Sequence, residues 1–455
     1  MSEKDAPEHN GEYVAPWERA FDWVLTPLEE FIHRQSSSSI LLVFATLLAL
    51  VCANTGLADY YQHFIHTSVG AVFGTFSIEK SLHHWVNDGL MAVFFFVVGL
   101  ELKREFLIGE LANPKAAALP IIAAIGGMVV PAFLYLFLNG DGDAARGWGI
   151  PMATDIAFAM GALALLGRRI PRSLVTFLLA LAIIDDLGAV LVIAVFYTDQ
   201  ISLSSLGVAA VFFSVMIAFK YGGIRGPWPY LIMAVLLWFA LLKSGVHATL
   251  AGILGALTVP VRPKYDARRF SVLVRDLMTR FESSTRNTAD LLRNVEARAI
   301  LQTLENGVHR VQAPLQRLEH AWHFPVAYLI LPVFAFVNAG ISIQPEALSA
   351  AFSQGETRGV VIGLVAGKVL GVAGLSFFVV RMGWMRWPPG VTLMHVIGVG
   401  FLSGIGFTMS IFVSELAFAD TPQMLVNAKT GVLAASILSG ALGLAVLRLS
   451  TRPVE

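Results

Sequence analysis

The sequence predicts an all-α polytopic membrane protein with twelve transmembrane helices. Hydrophobic residues make up 56% of the 455-residue chain and charged residues only 14%. A soluble domain carries roughly 25% charged residues. Mean hydropathy is +0.68. The apolar residues gather in separate runs, most of them near the roughly 20 residues that a helix needs to cross a bilayer. The formal net charge of zero argues against a nucleic-acid partner. The lone cysteine, Cys52, lies in an apolar segment. It rules out an internal disulfide framework or a Cys-rich metal site and reads as packing.

The first 35 residues form a cytoplasmic N-terminal segment. Its polar start, MSEKDAPEHNGEY, lacks the basic end and apolar core of a cleaved signal peptide. Within residues 13–35, Trp17, Phe21, Val24, Leu25, Leu28 and Ile32 recur at helical spacing among charges. That pattern predicts an amphipathic helix on the membrane surface. Residues 36–261 then carry spans one to eight, near 39–57, 85–107, 115–138, 148–166, 173–198, 203–221, 227–243 and 246–261. The last of these is the shortest. Residues 58–84 form a longer external connection whose alternating character (HFIHTSVGAVFGTFSI) is that of a β-hairpin. Residues 262–322 are a charged cytoplasmic insert, expected to be helical and solvated. Residues 323–455 carry spans nine to twelve, near 324–342, 358–381, 392–416 and 424–448.

Basic residues set the orientation. Lys103, Arg104 and Lys115 follow span two, and Arg168, Arg169 and Arg172 follow span four. Lys220 and Arg225 follow span six, and an Arg-rich insert follows span eight. Arg381 and Arg386 follow span ten, and Arg448 and Arg452 follow span twelve. The alternate connections carry few. The positive-inside rule therefore places both termini in the cytoplasm.

Two adjacent aspartates, Asp185 and Asp186, lie at the centre of the run SLVTFLLALAIIDDLGAVLVIAVFYT, which contains no basic residue. A carboxylate at the bilayer midplane costs about 2.5–3.5 kcal/mol on insertion scales. A partner, a proton or a cation must offset two of them. A structural polar bond between helices usually uses cheaper Ser, Thr or Asn. Asp155 lies in GIPMATDIAFAMG, and Lys368 in GVVIGLVAGKVLG. Span eleven contains GVGFLSGIGFTMSIF, with Gly398, Gly400, Gly404 and Gly406. Irregular backbone at membrane depth is tolerated only inside protein or along a cavity. Spans four and eleven are therefore expected to be broken helices crossing at the midplane. They occupy matching places in spans three to five and ten to twelve, which run in opposite senses. Inverted repeats of this kind mark secondary transporters. Adjacent helical residues point about 100° apart. One aspartate can then meet an ion and Asp155 while the other faces Lys368. Oxygen ligands suit a small hard cation as well as a proton.

The blocks ATDIAFAMGALALLG, LAIIDDLGAVLVIAVFYT, SGVHATLAG, LILPVFAFVNAG, GIGFTMSIF and VNDGLMAVFFFVVGLELKRE resemble the NhaA-type sodium/proton antiporter family over most of the chain. The resemblance implies a secondary transporter, not an enzyme. It would exchange intracellular Na+ or Li+ for external H+, electrogenically and under pH control, in a bacterial inner membrane. It implies no cofactor, lipid and small cations as partners, and a homodimer. By motif, Asp186 is the main cation ligand and proton carrier and Asp185 its neighbour, paired with Lys368 in the cation-free state. Thr154 and Asp155 would sit at the helix crossing. Glu101, Arg104 and Glu319 fall where the family places its pH-responsive groups, and His247 in SGVHATLAG adds a group that titrates near neutrality. Asp88 would line an outer entrance. The chain departs from the family pattern in its long 262–322 insert and in Glu415, where a neutral residue is expected. Glu415 reads as reaching the outer surface, and Lys429 as snorkelling outward.

Two rival readings are weaker. An intramembrane aspartyl protease takes its aspartates from different helices, often with a GxGD string inside a span. GDGD occurs once, from Gly140 to Asp143, but in the polar connection between spans three and four, where a turn is expected. A passive cation channel usually takes its carboxylates from a ring of subunits.

Overall fold

Helices dominate the computed structural model, which describes residues 37–73, 76–140, 142–198, 201–263, 265–285, 291 and 293–451. The expected N-terminal amphipathic helix lies outside these residues. In chain order the helices are α1 (Ser37–Ala53) and α2 (Ala58–His66), then, after a hairpin, α3 (Leu82–Leu107), α4 (Pro114–Asn139), α5 (Ile156–Ala164) and α6 (Arg172–Phe196). They continue as α7 (Leu203–Tyr221), α8 (Pro227–Leu242), α9 (Leu250–Thr258), α10 (Ala267–Thr285) and α11 (Val295–Val311). The last are α12 (Pro314–Asn338), α13 (Pro345–Ser353), α14 (Gly355–Arg381), α15 (Leu393–Ser403), α16 (Phe407–Ala417) and α17 (Pro422–Ser450).

Among the described residues, seven helices are long and apolar enough to cross a membrane, and nine spans result if each of two bent pairs counts as one. The pairs are α1 with α2, bent by 114°, and α15 with α16, bent by 47°. The three other apolar runs form helices that fall short of that length: α5, α8 and α9. Outward-facing apolar surface supports a membrane setting. Helix α7 buries only Ala209 and Met216 and turns Leu203, Val208 and Val211 outward, as a helix facing lipid does.

The 58–84 connection is half helix. Tyr61 and Ile65, one turn apart, are buried on α2, and the Tyr61 hydroxyl donates to the Phe336 carbonyl at 2.7 Å. Only then come strands β1 (Ser68–Phe73) and β2 (Phe76–Ser81), antiparallel, with Ser68 opposite Ser81 and Val69 opposite Lys80. The insert folds into α10 and α11, joined at their outer ends where the Tyr265 amide donates to the Arg310 carbonyl at 3.1 Å. Helix α12 starts at Pro314 rather than near residue 324, so Glu319 lies inside it. In the GDGD string, Gly140 and Gly142 take φ of 58° and 109°, which only glycine adopts readily. Asp143 then opens a 3-10 helix.

Two interruptions shape the centre. Before α5, residues Asp143–Met152 form a tight 3-10 helix containing Pro151, followed by extended backbone at Ala153 and Asp155. Between α15 and α16 the chain breaks at Gly404, Ile405 and Gly406. Gly404 packs so closely on the Leu364 carbonyl that a Cβ has no room. The interruptions meet: the Asp155 amide donates to the Ile405 carbonyl at 2.7 Å.

Candidate functional site

Helix α6 carries both aspartates into the protein interior, with Asp185 0% and Asp186 1% exposed. Their surroundings differ. Asp185 Oδ2 takes the Lys368 ammonium at 2.5 Å and the Thr154 hydroxyl at 2.7 Å. Lys368, also fully buried, spends its three donors on Asp185, the Met152 carbonyl at 2.5 Å and Thr154 Oγ1 at 3.0 Å. Met152 ends the 3-10 helix, where carbonyls lack partners and carry partial negative charge. Among the described residues Asp186 has no such fixed partner: its buried Oδ1, like that of Asp185, takes part in no hydrogen bond, and no ion pair engages its carboxyl.

Thr154 joins the two interruptions. Its single proton reaches Asp185 Oδ2 and, at 2.9 Å, the carbonyl of Ser403 at the end of α15. It serves one acceptor at a time. Asp155 lies among helix N-termini. Its Oδ1 accepts from the Phe158 amide at 3.0 Å, capping α5. Its Oδ2 accepts from the Thr408 amide at 3.0 Å and the Thr408 hydroxyl at 2.5 Å, in the first turn of α16. One carboxylate thus satisfies donors of two helix starts, where negative charge is favourable. Both its oxygens are engaged there, at the crossing, where the family resemblance places a carboxylate against facing helix N-termini.

Thr408 and the carbonyls of Met152 and Ser403 complete the arrangement. Sequence reasoning passes over them. Thr408 had a signal, a hydroxyl just after a glycine break, but backbone carbonyls have none. Among the described residues no three His, Cys, Asp or Glu side chains converge into a metal cage.

Of the other singled-out residues, Glu101 and Arg104 on α3 face Glu319 on α12. Arg104 Nε lies 3.0 Å from Glu319 Oε1, and Glu101 Oε1 lies 3.6 Å from His323 Nδ1. Arg104 also pairs with Glu105 at 2.8 Å. His247, in the turn before α9, places Nε2 2.6 Å from the Tyr197 carbonyl, in a separate contact. Asp88 pairs with His84 at 2.9 Å. Glu415 and Lys429 do not reach outward. They form an ion pair of 2.5 Å, with side chains 9% and 12% exposed, because α16 and α17 pack face to face at that level. Lys103, counted in the sequence only as a basic residue after span two, is buried and donates to the carbonyls of Ala256, Leu257 and Val259. It closes the C-terminus of α9 and ends that helix short.

A helical bundle with buried carboxyl groups and a buried lysine at its centre, held by interrupted helices, has the features of an ion-handling secondary transporter. The chain matches the family model described as "Na+/H+ antiporter 1" over residues 29–447. It is 51% identical to "Na(+)/H(+) antiporter NhaA 1" of Saccharophagus degradans over 94% of this chain and 92% of that protein. It is 46% identical to "Na(+)/H(+) antiporter NhaA" of Sulfurimonas denitrificans over 95% and 98%. It is 43% identical to the same-named protein of Dichelobacter nodosus over 99% and 97%. The chain belongs to the NhaA Na+/H+ antiporter family.

Proposed function

We propose that this chain exchanges intracellular Na+ or Li+ for external H+ by alternating access, with Asp186 as the shared site. The observation that carries the reading is the asymmetry of the pair. Asp185 is neutralised by Lys368, while Asp186 lies buried beside it without a fixed partner. A buried carboxylate in that position needs a proton or a cation. Competition between the two for one site that opens alternately to each side yields exchange. Asp185 joins the cation once Lys368 lets it go. Thr154 and Asp155 hold the crossing of the interrupted helices. An electrogenic stoichiometry, more protons than sodium ions per cycle, is part of the same reading.

The architecture that goes with this reading has twelve spans and cytoplasmic termini. Helices α5, α8 and α9 complete the count together with the backbone around them. Spans three to five and ten to twelve form the inverted repeats. Glu101, Arg104 and Glu319 set the pH response at the cytoplasmic end, and His247 adds to it from its separate contact with Tyr197. Asp88 lines the outer entrance, and the protein acts as a homodimer in the inner membrane.

The test uses everted vesicles with an acidified lumen and a fluorescent pH probe. Adding sodium or lithium is expected to restore fluorescence for the wild type. Asp186→Asn is expected to abolish recovery while the protein still inserts. No recovery for the wild type at any pH from mildly acidic to alkaline would sink the exchange reading. Substantial recovery for the variant would move the ion site elsewhere.

A further inference from the structure

At the end of α3 opposite Glu101, a second charged group is buried between helices, and the exchange reading makes no use of it. Glu415 on α16 and Lys429 on α17 form the ion pair described above. His83, at the start of α3, brings Nε2 to 3.3 Å from the same Glu415 oxygen. That nitrogen has a second neighbour, Asn87 Nδ2, at 3.4 Å. The Asn87 amide is held in its orientation. Its Oδ1 accepts from Asn338 Nδ2 at 2.8 Å, and Asn338 Nδ2 also donates to the Phe334 carbonyl at 3.0 Å. Turning either amide would oppose like groups, so Asn87 presents N–H to the imidazole. His83 Nε2 therefore has two exclusive partners. In the neutral tautomer protonated at Nδ1 it accepts from Asn87, on its own helix. In the imidazolium, which carries a proton on each ring nitrogen, it presents N–H and positive charge to Glu415, on α16.

We propose that His83, Glu415 and Lys429 form a proton-operated latch, in which a proton on His83 Nε2 ties α3 to α16 and restrains the half-helix that holds Asp155. Thr408, in the first turn of α16, is the Asp155 partner. A tie near the other end of this short helix therefore bears on the ion site. The proton comes from water on that side of the bundle and returns there. In the orientation proposed above this is the outer face, so the regulatory part of the inference rests on that reading. Among the described residues the other groups around His83 are few. Its ring lies 6.1 Å from that of His66 on α2. His84 is engaged with Asp88 on α3 itself. Glu79 and Lys80 of the hairpin are exposed, and α12 contributes the uncharged Asn338.

The test is a double-mutant cycle in the purified full-length protein, using His83→Gln and Glu415→Gln and read as thermal unfolding. Imidazole gains its charge between about pH 8 and about pH 5. The His83–Glu415 coupling is expected at about pH 5.5 and to vanish at about pH 8.5. Equal coupling at both values, or none at either, overturns the latch. If Glu415→Gln does not fold because Lys429 loses its partner, the cycle is run against Glu415→Gln with Lys429→Gln, which removes both charges. There, His83→Gln is expected to shift melting equally at both pH values, and a pH-dependent shift overturns the proposal. In everted vesicles the lumen meets the outer face. With bath pH fixed, the ratio of His83→Gln to wild-type exchange rates is expected to rise about threefold as the lumen is brought from about pH 8.5 to about pH 6. A flat ratio overturns the regulatory role. Failure of wild-type exchange itself would strike the exchange reading and leave the melting result to stand or fall alone.

Discussion

Lys368 and Asp185 are both fully buried and 2.5 Å apart, and such a pair is valuable chiefly because neither partner is left alone. Removing one side of a buried pair costs about 3–5 kcal/mol, since the remaining charge stays out of water. Lys368→Met is therefore expected to lower the melting temperature in detergent markedly, and Asp185→Asn added to it is expected to recover part of the loss. Equal or additive losses would mean that the lysine stabilises through packing and its bond to the Met152 carbonyl instead. The charged residues of this site were legible in the sequence because a charge inside an apolar run is conspicuous. Their partition came only from the family resemblance, not from spacing. Which aspartate meets the lysine depends on the rotation of α6 against α14, which neighbouring positions on one helix do not reveal. The engagement of Asp155 by Thr408 was hidden for a related reason: it joins residues on separate elements across the crossing.

Helix α14 brings Lys368 to its place through an irregular backbone. Wide π-helical turns at Gly363–Gly367 and Leu370–Gly374 flank the lysine, and such turns concentrate at functional positions. The glycines at 363, 367 and 371 recur every fourth residue, the small-residue spacing that lets membrane helices approach closely. The spacing has a physical consequence here. A Cβ at Gly371 would collide with the backbone of Gly126 on α4, and one at Gly367 with Pro131. Gly371→Val is expected to force α14 off α4, shifting Lys368 from Asp185 and lowering melting by an amount that overpacking sets at about 1–3 kcal/mol or more. Unchanged melting together with unchanged sodium affinity would show that the helices have slack at this contact. The apolar runs located these helices well because hydropathy reports lipid or protein surroundings over a whole segment. Helix boundaries were less legible. The early start of α12 and the short reach of α9 are set by tertiary bonds, the Leu315 amide on the Pro260 carbonyl at 3.2 Å and Lys103 on the last carbonyls of α9.

Across the whole molecule, the 262–322 insert adds two helices to the chain, α10 and α11, and the fold indicates how it is attached. Its two helices pack on each other, with Gly307 of α11 against the Phe270 ring of α10. Its entry and exit are held together twice, by the Tyr265 amide on the Arg310 carbonyl at 3.1 Å and by the Arg310 guanidinium on the Tyr265 hydroxyl at 2.9 Å. One step further in, Pro260 and Leu315 are also hydrogen-bonded to each other. A segment whose ends already touch adds little to the closure of the remaining chain, and insertions of this geometry are tolerated or lost without disturbing their host. Replacing residues 267–308 with a short Gly-Ser turn is therefore expected to leave the helical bundle folded. Sodium-driven exchange at saturating sodium should stay within about twofold of wild type, because among the described residues the insert contributes no group to the site around Asp186. The pH dependence is the quantity to follow alongside, since α11 leads directly into α12 and so to Glu319, which is paired with Arg104 on α3. A profile displaced along the pH axis at full maximal rate would assign the insert to regulation through α12. Loss of exchange at every pH, in protein that still melts cooperatively, would show instead that α10 and α11 hold α12 in the position from which exchange proceeds.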